Sequence, residues 1–248
     1  MTIPQDYQPR PDLLADRVIL VTGAGQGLGR SVALACARHG ATVALLGRRQ
    51  EKLEATYDAI VAAGGADPAL VPLDLEAAGS AEYEALTQLI RKDLKRLDGI
   101  AHCAVHFVPL GPLANQTIET WTTLLKVNLA APFAITRACL PLLASAPDSS
   151  VVFTGETHGA QPAAYWGGFA VSKSGLSPLA HIWADERDRT PNPRMNVLVP
   201  GPIASPQRAR SHPGEDPASL RTLDAAARAF LFLLGPEGSP ITGKTLQL

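Results

Sequence analysis

"VTGAGQGLG", Val21 to Gly29, sets four glycines between an apolar run and an amphipathic one. The run before it, "RVILVT" (Arg17 to Thr22), is short and β-rich, and the pattern after it, Gly27 to His39, repeats at helical spacing. A strand that turns sharply into a helix through glycines lets backbone approach a ligand closely. The helix N-terminus then offers free N–H groups and the positive end of its dipole. The stretch therefore reads as a cradle for a pyrophosphate, with Gly23, Gln26, Gly27, Leu28 and Gly29 as its residues.

Outward from this turn the rhythm is strand then helix. Near-continuous apolar runs recur at Ala41–Gly47, Ala69–Asp74, Asp98–Ala104, Ser149–Gly155, Arg194–Pro200 and Thr242–Leu248. Such runs suit strands covered by helices on both faces. Helical patterns lie between them at Gln50–Ala62, Ala81–Arg96, Ile118–Ser145, Gly167–Thr190 and Leu223–Leu234. The alternation predicts an α/β fold with a seven-stranded parallel, doubly wound sheet, because right-handed crossovers leave few other topologies. At 248 residues the chain is expected to form one domain, 1–248. One long irregular segment, Gly201–Leu220, follows the carboxyl end of a strand and reads as a substrate lid.

Composition narrows the function classes. A chain 46% apolar and 18% charged is globular, and a net charge of −1 provides no basic field for nucleic acid. Cys36, Cys103 and Cys139 are scattered and odd in number, which suits free thiols in a reducing compartment. The polar, acid-bearing opening is no signal peptide, and no apolar run stands out as membrane-spanning. A cytoplasmic protein with a small-molecule substrate is expected.

The TGxxxGxG spacing, with Thr22 and Gly23 at the strand end, resembles the short-chain dehydrogenase/reductase (SDR) family. "LDL" at Leu73–Leu75, "KVNLAAPF" at Lys126–Phe133, the helix holding Lys173, and "VLVPGPIAS" at Val197–Ser205 extend the resemblance over nearly the whole chain. The opening "YQPRPDLLADRVILVTG" is similar to a poorly characterised bacterial subgroup of that family. The resemblance implies a Rossmann-type three-layer sandwich and a dinucleotide. Asp74 and Leu75 would meet the adenine, Ala104 would line the cofactor, and Pro200, Gly201, Ile203 and Ser205 would shape the nicotinamide and pyrophosphate turn.

Charge indicates which dinucleotide. Where NAD-dependent relatives of the fold place an acid after the second strand, this chain has Gly47, Arg48 and Arg49. No carboxylate repels a 2′-phosphate there, and a guanidinium matches one geometrically. NADP(H) is favoured over NAD(H), with Arg48 as the reader.

The catalytic positions depart from the family. The resemblance implies an Asn, a Ser, a Tyr and a Lys; here they are Asn128, Glu156, Phe169 and Lys173. Phe169 has no proton to give, and positioned acid–base catalysis is worth about 10²- to 10⁴-fold in rate. Tyr165 lies eight residues before Lys173, about 80° off its helix face. Only a loop at Tyr165 would let it substitute. Glu156, facing Lys173, would form an ion pair or itself donate the proton. "HCAV" at His102–Val105 replaces the family's Asn-Asn-Ala-Gly, putting a β-branched Val105 where a glycine admits a ligand.

His102, Cys103, His106 and His158 suit zinc by type, but adjacent strand residues point to opposite faces and a fourth ligand spacing is missing, so packed side chains are expected. Arg208, Arg210 and His212 on the lid either attract an anionic group or face solvent. Trp121, Leu124, Phe133, Leu176, Leu179 and Trp183 supply more apolar surface than one sheet face needs. By the resemblance these helices would build a homodimer or homotetramer, with no longer tail after Leu248 to add to it. Two functional readings stand: an NADP(H)-dependent oxidoreductase with an altered proton donor, Glu156 or a substrate-bound water, and a non-catalytic dinucleotide sensor or partner subunit.

Overall fold

The computed structural model describes residues 3, 4, 6–187 and 192–248. Among them, seven strands form one parallel sheet: β1 (Val18–Thr22), β2 (Thr42–Gly47), β3 (Ala69–Pro72), β4 (Gly99–His102), β5 (Ser150–Thr154), β6 (Arg194–Val199) and β7 (Lys244–Gln247). Their spatial order is β3-β2-β1-β4-β5-β6-β7. The order reverses between β1 and β4, which leaves a crevice at their carboxyl ends.

Successive strand residues serve opposite faces. Ile19 and Val21 of β1 join Val43, Leu45, Ala101, Val152 and Leu198 in one core. Val18 and Leu20 join Ala44, Leu46, Ile100, Val151, Phe153 and Val197 in the other. The first core is closed by α1 (Gly27–Arg38), α2 (Gln50–Ala62) and a C-terminal helix, Leu223–Leu234. The second is closed by α3 (Ser80–Leu89), α5 (Ala131–Ser145) and a helix over Leu176–Glu186, while α4 (Ile118–Leu125) puts Leu124 into a third cluster with Phe107, Trp166, Phe169 and Ala170. Burial on both faces explains why the strands read as continuous apolar runs.

Some expectations hold only in part. The helix expected over 118–145 is continuous, but Lys126–Ala130 forms a wide turn between α4 and α5. Pro132 lacks the N–H that would bond the Asn128 carbonyl, and its ring crowds that carbonyl, so the ladder widens there. At 28 residues, with an 18-residue stretch of mean hydropathy 1.5, this helix is long and apolar enough to cross a membrane, contrary to the reading of the sequence. Ile135, Cys139, Leu142 and Leu143 nonetheless pack against the sheet as core.

The helix expected over 167–190 is two helices, after a short α6 (Thr157–Ala160): α7 (Gly167–Ser174) and α8 (Leu176–Glu186). Pro178 removes a donor at the joint, and residues 188–190 lie outside the described residues. Gly201–Leu220 is not irregular throughout. It contains α9 (Pro206–Ser211), capped by the Ser205 hydroxyl accepting from Arg208 N at 3.1 Å. The C-terminal helix Leu223–Leu234 is thus α10. Finally, Leu124, Leu176 and Trp183 are buried within the chain's own core, so they do not contribute surface for assembly.

Candidate functional site

A single cavity of about 490 Å³ runs along the crevice at the carboxyl ends of the strands. Its outer end is built by the β1–α1 turn. Gly23 has φ +69°, and a Cβ there would lie 2.9 Å from the Ala104 backbone. A Cβ on Gly29 would meet the Gly23 carbonyl at 2.3 Å. The turn is therefore as tight as backbone allows, and β4 closes against it. Gln26 is the N-cap of α1 but makes no side-chain capping bond, and the first turn carries no acid. The free N–H groups of a twelve-residue helix thus open on the cavity between Gly25, Gln26, Gly27, Leu28 and Gly29.

The Gln26 side chain is turned to the cations instead. Its Oε1 accepts from Arg49 at 2.9 Å and from Lys52 Nζ at 2.6 Å. Arg48, Arg49 and Lys52 all line this end of the cavity. Lys52 was not singled out from the sequence, although it follows the arginine pair by one helical turn and so shares their edge of α2. Asp74 and Leu75 line the same end, and Asp74 is fixed by accepting from Glu76 N at 3.0 Å.

The inner end is formed by the loops after β4, β5 and β6. Gly155 N still pairs with the Leu198 carbonyl at 2.8 Å, and the next residue, Glu156, is released into the cavity. Among the described residues the Glu156 carboxylate has no hydrogen-bond or ion-pair partner, so the direct ion pair expected with Lys173 is absent. Lys173, on α7 and 6% exposed, donates instead to the Thr154 carbonyl at 2.9 Å. Phe169, one turn earlier on α7, is 1% exposed and lies edge-on to Phe107 with ring centroids 5.0 Å apart. Pro200, Gly201, Ile203 and Ser205 complete the wall. Their turn is tied down by Arg221, which donates to the Pro200 carbonyl, and by the Ala204 N–H to Arg221 O bond.

Two residues named from the sequence do not reach the cavity. Asn128 sits in the wide turn of the long helix, fully buried. Its amide accepts from His106 N at 2.8 Å and donates to His106 O at 2.9 Å and to Ser172 Oγ at 3.0 Å. It anchors the loop after β4 rather than lining the cavity. Tyr165 does lie in a loop, with φ +74°, but it is 60% exposed and is not part of the cavity wall. Trp166 lines the wall in its place, with the His158 ring centroid 4.0 Å away on one side and that of His212 6.1 Å away. Trp166 lies seven residues before Lys173, about 20° off its helix face, and that spacing is the sequence signal for its place in the site.

Of the lid residues, Arg208 and His212 line the cavity. Arg208 is held by a bidentate pair with Glu215. Arg210 instead donates to the Phe107 carbonyl and sits over the Phe107 ring, 5.5 Å from its centroid. The segment after β6 is also packed on the β1–α1 turn, since a Cβ on Gly27 would meet Pro206 Cδ at 3.3 Å.

Burial governs titration here. Lys173 is lowered to about 8, chiefly by desolvation, with the Glu156 charge pulling the other way. His102 is lowered to about 3 by burial and by Lys173, and its neutral ring shares a 2.9 Å hydrogen bond with Thr136 Oγ1 while stacking on Phe153. Cys103, raised to about 12 by burial, accepts from the Thr154 hydroxyl on the opposite face of the strand end. His102 and Cys103 are each packed with partners of their own.

Comparison with known proteins accords with this geometry. The family model for short chain dehydrogenases matches residues 17–216. The chain is 39% identical over 241 residues to the uncharacterised oxidoreductase YciK of Escherichia coli K12, covering 97% of this chain and 95% of that one. A putative short chain dehydrogenase from Shigella flexneri, solved with NADP, superposes with a TM-score of 0.92 at 37% identity, over 96% of this chain and 99% of that one. Its counterpart from Escherichia coli CFT073, solved with NADPH, gives 0.93 at 38% identity, over 96% and 99%.

Proposed function

The chain belongs to the short-chain dehydrogenase/reductase family of oxidoreductases, and on that premise we propose that it is an NADP(H)-dependent reductase working without a phenolic proton donor. The dinucleotide fits the residues present. The uncapped N-terminus of α1 faces the cavity where a pyrophosphate needs N–H donors. The carrying observation for the 2′-phosphate is the cation set Arg48, Arg49 and Lys52, two of which converge on one amide oxygen that a phosphate oxygen can replace. The NADP and NADPH complexes of two relatives support the same choice.

When bound, such a cofactor supplies or accepts a hydride at its nicotinamide ring. Lys173 is placed to hold the ribose with the donors that Thr154 leaves free. Asn128 fixes the His106 loop that walls the inner end, and Arg221 fixes the Pro200–Ser205 turn. Phe169 keeps the ring of the family's phenol and lacks its proton. Glu156 is the acid–base group that stands at the family's Ser position in the reacting end, with His158 and His212 lining the same cavity, for a small carbonyl or enone among other acceptors.

A second reading, a dinucleotide sensor without catalysis, is favoured by that same loss at Phe169. Calorimetric titration with NADPH and NADH tests the first. NADPH should bind about 10- to 100-fold tighter than NADH, as one or two charge-assisted bonds imply, and Arg48→Ala, Arg49→Ala and Lys52→Ala together should erase the gap. No binding by the wild type would sink the proposal. Turnover gained only in Phe169→Tyr would move the protein to the sensor reading. For assembly we propose a homodimer, or a homotetramer built from it, through the exposed groove of Leu125, Leu129, Phe133, Leu179 and Ile182.

A further inference from the structure

The inner cavity has an aromatic wall and one negative charge that nothing among the described residues neutralises by contact. Trp166, Phe169 and Phe107 form a buried cluster, with the His158 ring against Trp166. Glu156 opens on the same cavity with its carboxylate unpartnered among the described residues. Its two cationic neighbours are engaged elsewhere: Lys173 with the Thr154 carbonyl and Arg208 with Glu215. A half-buried carboxylate beside aromatic faces is complementary to an organic cation, which gains from both the countercharge and the ring quadrupoles.

The missing phenol bears on the same choice. A ketone that receives hydride becomes an alkoxide and must be given a proton, which Phe169 cannot supply. A protonated imine already carries its proton. Hydride adds to its carbon, the C=N π pair moves onto nitrogen, and the product is a neutral amine with no proton drawn from the protein. Resting on the dinucleotide reading above, we propose that the substrate is a cyclic iminium ion, seated against Trp166 with Glu156 as its countercharge.

Binding and turnover test this separately. Tetrahydroisoquinoline, a cation at neutral pH, should bind the protein in the presence of NADP⁺, and its neutral isostere tetralin should bind at least about tenfold more weakly, as loss of a charge-assisted contact implies. Glu156→Gln should weaken the amine about tenfold and leave tetralin unchanged. Trp166→Leu should weaken the amine more than tetralin. With NADPH, 3,4-dihydroisoquinoline should be reduced in preference to α-tetralone. Equal affinity for amine and tetralin, an amine affinity indifferent to Glu156→Gln, or a ketone reduced as well as the imine overturns the proposal. An NADPH titration alongside reads the dinucleotide site by itself: NADPH bound with no cation preference defeats the iminium alone, and no NADPH bound defeats the reading beneath it.

Discussion

Replacing Lys173 by Met should make this protein more stable at pH 7 while weakening its dinucleotide site. The ammonium is 6% exposed and has a single protein acceptor, the Thr154 carbonyl at 2.9 Å. Desolvation lowers it from the ordinary 10.5 to about 8. At 1.36 kcal/mol per pH unit this corresponds to about 3 kcal/mol of unfavourable burial carried by the charged form. Methionine has nearly the length of the lysine stem and no charge to desolvate. Thr154 loses one donor, a cost of about 1 kcal/mol, so a net gain of about 2 kcal/mol is expected.

The pH dependence makes the reasoning specific. Between pH 8 and 10.5 the unfolded chain holds a proton on Lys173 that the folded chain has released, so wild-type stability rises with pH across that window. Below pH 8 both states are charged and the full deficit persists. The advantage of Lys173→Met should therefore be greatest at pH 7, vanish near about pH 9.5 and become a deficit of about 1 kcal/mol, the lost Thr154 bond, by about pH 10.5. Urea denaturation of both proteins from pH 7 to 10.5 measures it, with the slope m checked for constancy. A variant less stable at pH 7, or a gap that stays constant across the window, refutes the argument.

Three further outcomes follow from particular contacts. Gly29→Ala, whose Cβ would stand 2.3 Å from the Gly23 carbonyl, should cost at least about 3 kcal/mol because backbone rather than a side chain must move; thermal unfolding and NADPH calorimetry read both consequences. Arg194→Leu should destabilise by about 3–5 kcal/mol in chemical denaturation, since this buried guanidinium donates to the carbonyls of Leu233, Gly235 and Gly238 at the end of α10 and pairs with Asp148. Phe133→Glu, at an exposed ring in the groove between α5 and α8, should leave the thermal midpoint within a few degrees and shift the sedimentation coefficient to that of a monomer; an unchanged coefficient removes that groove as the interface.

The strands and the glycine turn were legible because each is set by local rules: apolar runs for strands buried on both faces, and glycine where a Cβ has no room. What escaped was set by contacts distant in sequence. The site half of Trp166 depends on α6 bringing His158 beside it and on α9 bringing His212. The choice of Lys173 for the Thr154 carbonyl over Glu156 depends on how far β5 stays paired with β6 before releasing the chain. Neither distance is encoded in a spacing rule. The prolines that break the long helices were visible, but whether Pro132 would kink, stop or widen its helix is decided by the packing around Asn128.

Phe169 shows how packing and chemistry separate at one position. Its ring is core: it fills the cluster with Phe107, Leu124 and Trp166, and its backbone carbonyl accepts from the Ser172 hydroxyl that also receives the Asn128 amide. Removing that ring would open a cavity costing about 3–5 kcal/mol, so an aromatic residue is required there whatever the reaction. A hydroxyl is not required by any of these contacts. The retained ring therefore reports only on folding, and the absent oxygen only on chemistry. The retained Lys173 differs, because its buried charge stabilises nothing in the fold that a neutral side chain would not stabilise better. A residue held at that disadvantage is best explained by a ligand, and the cavity it opens on leads back to the glycine turn at Gly23.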